Sequence, residues 1–169
     1  MRSDSQFANL RWLIVALIVV VLDQLSKWQA SLRLEFGVPN PVFGGFNLTL
    51  MHNPGAAFSL FATGDGWQRW LFTGIALVVS LWLLRMLVLA PAGARWLPAS
   101  LMLVMGGALG NLWDRLALGY VIDFIQICYA NWCFPAFNIA DSAITVGAVM
   151  LVLETFLDSS SHSVGARPD

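Results

Sequence analysis

The chain has 169 residues, 58% of them hydrophobic and 11% charged, with a net charge of −1 and a mean hydropathy of +0.71. Soluble domains carry about 25% charged residues, so this composition describes an integral membrane protein. Its nine basic residues are scattered, leaving no basic face for nucleic acid and no polybasic patch for a membrane surface.

Residues 2–11 are polar, with Arg2 and Arg11, and an unbroken apolar run follows from Trp12 to Leu22. Together they imitate a cleavable signal peptide. The apolar face nevertheless continues past Asp23 and Lys27 to about Leu32, which gives the roughly 20 residues of a spanning helix, and no A-x-A cleavage site follows. A retained first helix is predicted over 12–32. Asp23 and Lys27 stand at i and i+4 with the acid first, the favourable order for a helical ion pair; the competing reading is an interfacial pair whose lysine snorkels.

From Arg33 to Gly66, Pro39, Pro41, Gly44, Gly45, Pro54, Gly55, Gly64 and Gly66 punctuate an outer segment. Phe46, Leu48 and Leu50 alternate with Asn47, Thr49 and Met51, which predicts a strand over 46–51 and a small sheet on the membrane surface. The run HNPGAAFS at 52–59 ends that strand in a turn and offers Asn53 as a candidate site residue. A second helix is predicted over 67–89, anchored by Trp67, Trp70 and Arg85, and a third over 96–115, where Gly106-x-x-x-Gly110 permits close packing. Cys128 and Cys133 fall in one short loop and read as packing residues, with a disulfide open to them if the loop faces an oxidising compartment. His52 and His162 are badly placed to complete a zinc site, so no metal and no cofactor is expected. A fourth helix is predicted over 136–157, closing a single domain at 1–158, and 159–169 reads as a disordered polar tail.

Four spans impose a parity. Helices one and three end on the side where helices two and four begin, which gathers Asp23, Lys27, Asn53, Asn111, Asp114, Arg115, Asp123, Asn138 and Asp141 toward one membrane face. Ionisable groups beside hydrocarbon are costly without a use, so they mark a functional site. For Asn138 and Asp141 the alternative is a helix N-cap with its first-turn acid. Asp123, in the non-helical VIDFI run, has no such alternative. Basic residues divide nearly evenly between the two faces, giving only a lean toward a cytosolic plain side.

The hydrolytic parts on offer are few. There is no HExxH and no GxSxG, and a Ser-Lys dyad built on Lys27 would find Ser26 pointing about 100° away around the helix. Two carboxylates remain, Asp123 and Asp141. Like charges in contact cannot both ionise near neutral pH, so such a pair holds one shared proton and acts as base toward water and acid toward a leaving amine. Paired intramembrane acids also mark proton relays, and the rival reading is a small proton-coupled transporter or channel subunit.

The motifs DQLSK at 23–27, N-x-GAAFS at 53–59, GGALGNLWDR at 106–115, YVIDF at 120–124 and FNIADSAITVG at 137–147 together resemble the signal peptidase II family, bacterial inner-membrane aspartic proteases of prolipoproteins. The resemblance covers nearly the whole chain. It implies an all-α membrane protein of four transmembrane helices with a small periplasmic β-sheet, a cradle, between helices one and two. Both termini would be cytosolic. It implies Asp123 and Asp141 as the catalytic dyad, and Asn53, Gly55, Gly107, Asn111, Asp114, Arg115, Asn138, Asp23 and Lys27 as substrate-binding or site-supporting positions. The implied substrate is a prolipoprotein with a diacylglyceryl-modified cysteine, cut on the amino side of that cysteine by a monomeric enzyme among membrane lipids. Its extended peptide would be steadied by edge pairing with the 46–51 strand. One departure is Pro54, where the family often has a polar or small residue: proline fixes φ and removes an N–H.

Overall fold

Four helices of spanning length carry the apolar runs: α1 Leu13–Arg33, α2 Trp67–Leu89, α3 Trp96–Ala117 and α4 Ile139–Ser163. The computed structural model describes residues 9–55 and 66–163. A 3₁₀ turn, Asn9–Trp12, leads into α1, and Asn9 Nδ2 donates to the carbonyl of Ala90 at 2.9 Å, tying the start of α1 to the end of α2. At the opposite end Arg69, in the first turn of α2, donates to Leu116 O near the end of α3 at 2.8 Å. The parity drawn from the sequence is thus the geometry of the bundle.

α3 is the central helix: 56% of its apolar window is buried, against 17–22% for the other three. Its small residues explain why neighbours can come so close. A Cβ on Gly106 would meet Val19 and the Ala16 carbonyl of α1 at 2.8 and 2.9 Å, and one on Gly107 would strike the Ala140 carbonyl of α4. The GxxxG pair therefore faces α1, and Gly107 lets α4 in. Away from the polar residues, Ala16, Leu83, Leu87, Leu101, Met102 and Met105 close the bundle with an apolar core.

Strands β1 Asn40–Phe43, β2 Phe46–Asn53, β3 Val121–Tyr129 and β4 Trp132–Cys133 pair antiparallel in that spatial order. The sheet is wider than the sequence suggested. It draws on the α3–α4 connection as well as the α1–α2 segment, because VIDFI is a strand buried along most of its length and so shows no alternation. Ala30, Leu50, Ile122 and Phe124 form the core beneath it. Around Asn47 and Leu48, β2 is paired on both sides, to β1 and to β3, so the edge anticipated for a bound peptide is already occupied there.

Beyond β4 the chain stays extended. Phe134 N donates to Ile127 O at 2.7 Å, Phe137 N to Ile125 O at 2.9 Å, and Phe137 O accepts from the N–H groups of Phe124 and Ile125. This return run, with Pro135 unable to supply a helical N–H, is why α4 begins at Ile139 and not near 136. Cys128 and Cys133 are directly opposed in the β3–β4 register and form a disulfide, with Cα atoms 4.0 Å apart. Their reading as packing thiols is corrected: cross-strand pairing places them together, which loop composition could not reveal. α4 continues to Ser163, into the segment read as a tail. Residues 164–169, and 56–59 of the N-x-GAAFS motif, lie outside the described residues.

Candidate active site

The two acids arrive on different elements, Asp123 on β3 and Asp141 in the first turn of α4, and Asn138 joins them. Asn138 Oδ1 accepts the Asp141 N–H at 2.9 Å, and Asp141 Oδ2 accepts the Asn138 N–H at 3.3 Å, a reciprocal cap of the helix N-terminus. Asn138 Nδ2 donates to Asp123 Oδ1 at 2.8 Å. Capping and site-building are therefore the same contacts. The hairpin return from β3 through Phe137 is what brings residue 138 back beside residue 123.

Asn111 supplies the other side of the frame. Its Nδ2 donates to Asp141 Oδ1 at 2.8 Å, while its Oδ1 accepts from Lys27 Nζ at 2.9 Å and from Asn138 Nδ2 at 3.1 Å. Two donors on the oxygen leave the amide only one orientation, and that orientation aims its N–H at Asp141. Asn53 Nδ2 donates to Asp123 Oδ2 at 3.1 Å. Asp123 is 3% exposed, and burial, reinforced by the charge of Asp141, pushes its carboxyl up to about 7 against the hydrogen bonds from Asn53 and Asn138.

Beneath the dyad lies a fully buried ion cluster. Lys27 Nζ is 2.7 Å from Asp23 Oδ2 and 2.9 Å from Asp114 Oδ2, so with Asn111 all three of its protons have acceptors. Asp23 Oδ1 accepts the N–H of Ala140 at 2.9 Å, and Asp114 Oδ2 accepts the N–H of Ile122 at 3.1 Å. Each carboxylate thus grips the residue immediately before one member of the dyad. Lys27 links the two grips, so the interfacial snorkelling reading of the Asp23–Lys27 pair is replaced by a buried brace.

A cleft of about 1050 Å³ opens over the dyad. Asn53, Pro54, Asn111 and Arg115 share its polar end with the two acids, while Ile127, Trp132, Phe134 and Phe137 line an apolar wall. Arg115 donates to Gly55 O at 3.2 Å and lies 5.2 Å over the Phe72 ring; its buried Nε has no partner among the described residues. His52 stacks on Tyr120 at 4.1 Å and lies 4.8 Å from the Phe36 ring. Among the described residues no group of three or more His, Cys, Asp or Glu could hold a metal ion.

The family described as signal peptidase (SPase) II matches residues 15–157. The chain belongs to the signal peptidase II family. It is 52% identical over 152 residues to the lipoprotein signal peptidase of Acinetobacter baylyi, covering 88% of this chain and 83% of that protein. It is 53% identical over 156 residues to that of Pseudomonas fluorescens, covering 91% and 92%, and 52% identical over 164 residues to that of Pseudomonas aeruginosa, covering 95% and 96%. A bacterial membrane enzyme solved by the in meso method at 2.3 Å resolution superposes with a TM-score of 0.80 at 27% identity, covering 94% of this chain and 93% of that one.

Of the positions that the signal peptidase II motifs single out, the structure gathers Asp123, Asp141, Asn53, Asn111, Asn138 and Arg115 at the cleft. Asp23, Lys27 and Asp114 sit one layer below. Gly55 is drawn in by its carbonyl bond to Arg115 and its N–H bond to Asn53 Oδ1, and Gly107 acts by admitting α4. Sequence reasoning missed Gln24, whose Nε2 donates to Asp114 Oδ1 at 2.8 Å; its place beside Asp23 in DQLSK was the available signal. Gly110, read from the sequence as a packing glycine, also makes room for the buried acid: a Cβ there would lie 2.7 Å from Asp23 Oδ2.

Replacing Asn138 by Ala removes a donor to a carboxylate and a helix cap together. Turnover is expected to fall about 10- to 100-fold, from a charged hydrogen bond worth roughly 1.5–3 kcal/mol, with about 1 kcal/mol of stability lost from the cap. Asn138→Ser restores the cap without the Nδ2 donor, so it should regain thermal stability and stay slow. Normal turnover in either variant would remove Asn138 from the site.

Proposed function

We propose that this signal peptidase II family member is a membrane aspartic endopeptidase. It removes signal peptides from diacylglyceryl-modified prolipoproteins, cutting on the amino side of the lipidated cysteine. The observation that carries the reading is the joining of Asp123 to Asp141 through Asn138 at the polar end of a cleft whose far wall is apolar. Two carboxylates in one site hold one proton between them: the ionised member takes a proton from water as it attacks the scissile carbonyl, and the protonated member supplies one to the leaving amine. Arg115 lines the same cleft and adds a positive charge beside the two acids. The apolar wall suits hydrocarbon that stays near the bilayer while the peptide crosses the dyad.

The disulfide supports an orientation. Disulfides persist in oxidising compartments, which favours a periplasmic sheet and dyad and, with four spans, both termini in the cytosol. The transporter reading fares worse, because the polar groups gather at one end of the bundle and an apolar core closes the other.

The test is incubation of the detergent-purified protein with lipidated and unlipidated prolipoprotein, reading product size. Cleavage of the lipidated form alone is expected, unaffected by chelators. Asp123 gives the pH dependence its sign: with its carboxyl raised to about 7, the pair loses its shared proton as pH rises through that value, so the rate falls there. A rate that stays flat or climbs through pH 7, or cleavage lost to a chelator and regained with metal, would defeat the mechanism.

A further inference from the structure

We propose that the Cys128–Cys133 disulfide fixes the apolar wall of the cleft, so that it governs how tightly substrate binds and leaves the chemistry of the dyad alone. This rests on the peptidase reading above.

The wall is the return run from β4, and its two ends are held very differently. At the dyad end, Phe137 exchanges backbone hydrogen bonds with Ile125 and also accepts from Phe124, and Asn138 is fully buried. At the far end β4 is two exposed residues after a turn in which Ala130 takes φ +51°, a left-handed conformation unfavourable for alanine. Trp132 is 62% exposed. So short a hairpin is marginal by itself. The disulfide is the covalent tie, and it extends further: Cys128 N donates to Gly45 O at 2.6 Å and Asn47 Nδ2 lies 3.2 Å from Cys128 Sγ, which anchors the wall to the β1–β2 turn as well.

Trp132, Cys133, Phe134 and Pro135 line the cleft together with Ile144 and Val146 of α4, and Val146, within a span apolar enough to cross a membrane, is 52% exposed. The occupant is hydrocarbon reaching in from the bilayer, either the acyl chains of the substrate or the apolar segment of its signal peptide. Cutting the disulfide loosens the two-residue strand and with it Trp132, whose ring packs edge-on against Phe134, whereas Phe134 N keeps its bond to Ile127 and the dyad end keeps the bonds of Phe137 and Asn138. Binding weakens and the chemical step persists.

Cys133 is exposed, so a dithiol reductant can reach the bond; it supplies two electrons and two protons, yields two thiols, and itself becomes a disulfide. The experiment measures kcat and KM for a lipidated peptide with the full-length protein oxidised, reduced, and reoxidised, and with Cys128→Ser/Cys133→Ser. Re-ordering one or two large side chains at each binding event should raise KM about 3- to 10-fold on reduction, with kcat unchanged and full reversal on reoxidation. The double variant should show the raised KM and ignore reductant. Repeating the comparison with shortened acyl chains separates the occupants: a smaller KM effect assigns the wall to the chains, and an undiminished one assigns it to the signal peptide. Equal KM in the oxidised and reduced protein, or a loss confined to kcat, overturns the proposal. No cleavage even by the oxidised protein would instead overturn the peptidase reading on which it stands.

Discussion

Asp123→Asn and Asp141→Asn are each expected to insert and fold normally and to lose cleavage by at least about 10²–10⁴-fold, the range for removal of a general acid or base. An amide keeps the size of the carboxyl and some of its hydrogen bonds. Asn at 141 can still accept from Asn138 N through its carbonyl oxygen, so the helix cap survives in part. What it cannot do is take a proton from water or return one to the leaving amine. Because one proton serves both groups, the double variant should be little slower than either single one, as for residues that act as a unit. Measured turnover in both single variants, alongside melting curves, decides the matter: substantial cleavage by either removes the dyad.

The second large effect lies one layer down. Lys27→Met takes the cation from between Asp23 and Asp114, both buried and both bonded to backbone N–H groups. Breaking a buried ion pair costs about 3–5 kcal/mol, a large share of the roughly 5–15 kcal/mol that holds a domain folded. Little folded protein should be recovered. Restoring neutrality with Asp23→Asn/Lys27→Met/Asp114→Asn leaves amide oxygens that still accept from Ala140 and Ile122, so the triple variant should recover folded protein. Thermal unfolding in detergent reads both outcomes, and a Lys27→Met protein as stable as the wild type would show that the cluster braces nothing.

The helices were legible because their apolar runs are continuous and their ends are marked; α2 occupies the span read from its Trp and Arg anchors. So were the polar residues of the site, which stand out where hydrocarbon is expected. What the sequence concealed was non-local. β3 is buried on both faces from Val121 to Phe124 and shows neither period there, so VIDFI could be recognised as non-helical but not as the strand that completes the sheet. The disulfide depends on a cross-strand register that exists only once β4 pairs. Ala136 and Phe137 read as the start of α4 because apolar composition alone does not separate an extended segment from a helical one. Asn138 and Asp141 posed a false choice between cap and site, since spacing cannot show that one set of hydrogen bonds serves both.

The brace that joins Asp23 to Ala140 connects the first membrane span to the last. Lys27 and Asp114 meet Asp23 through contacts of α1 with itself and with α3, whereas Asp141 belongs to α4, which packs against Gly107. No incomplete chain holds the pair of acids, and the cap that starts the final helix is the same event that seats the second one. The two acids therefore come together only when the last span has docked against the first, so the completeness of the bundle and the completeness of the site are one condition.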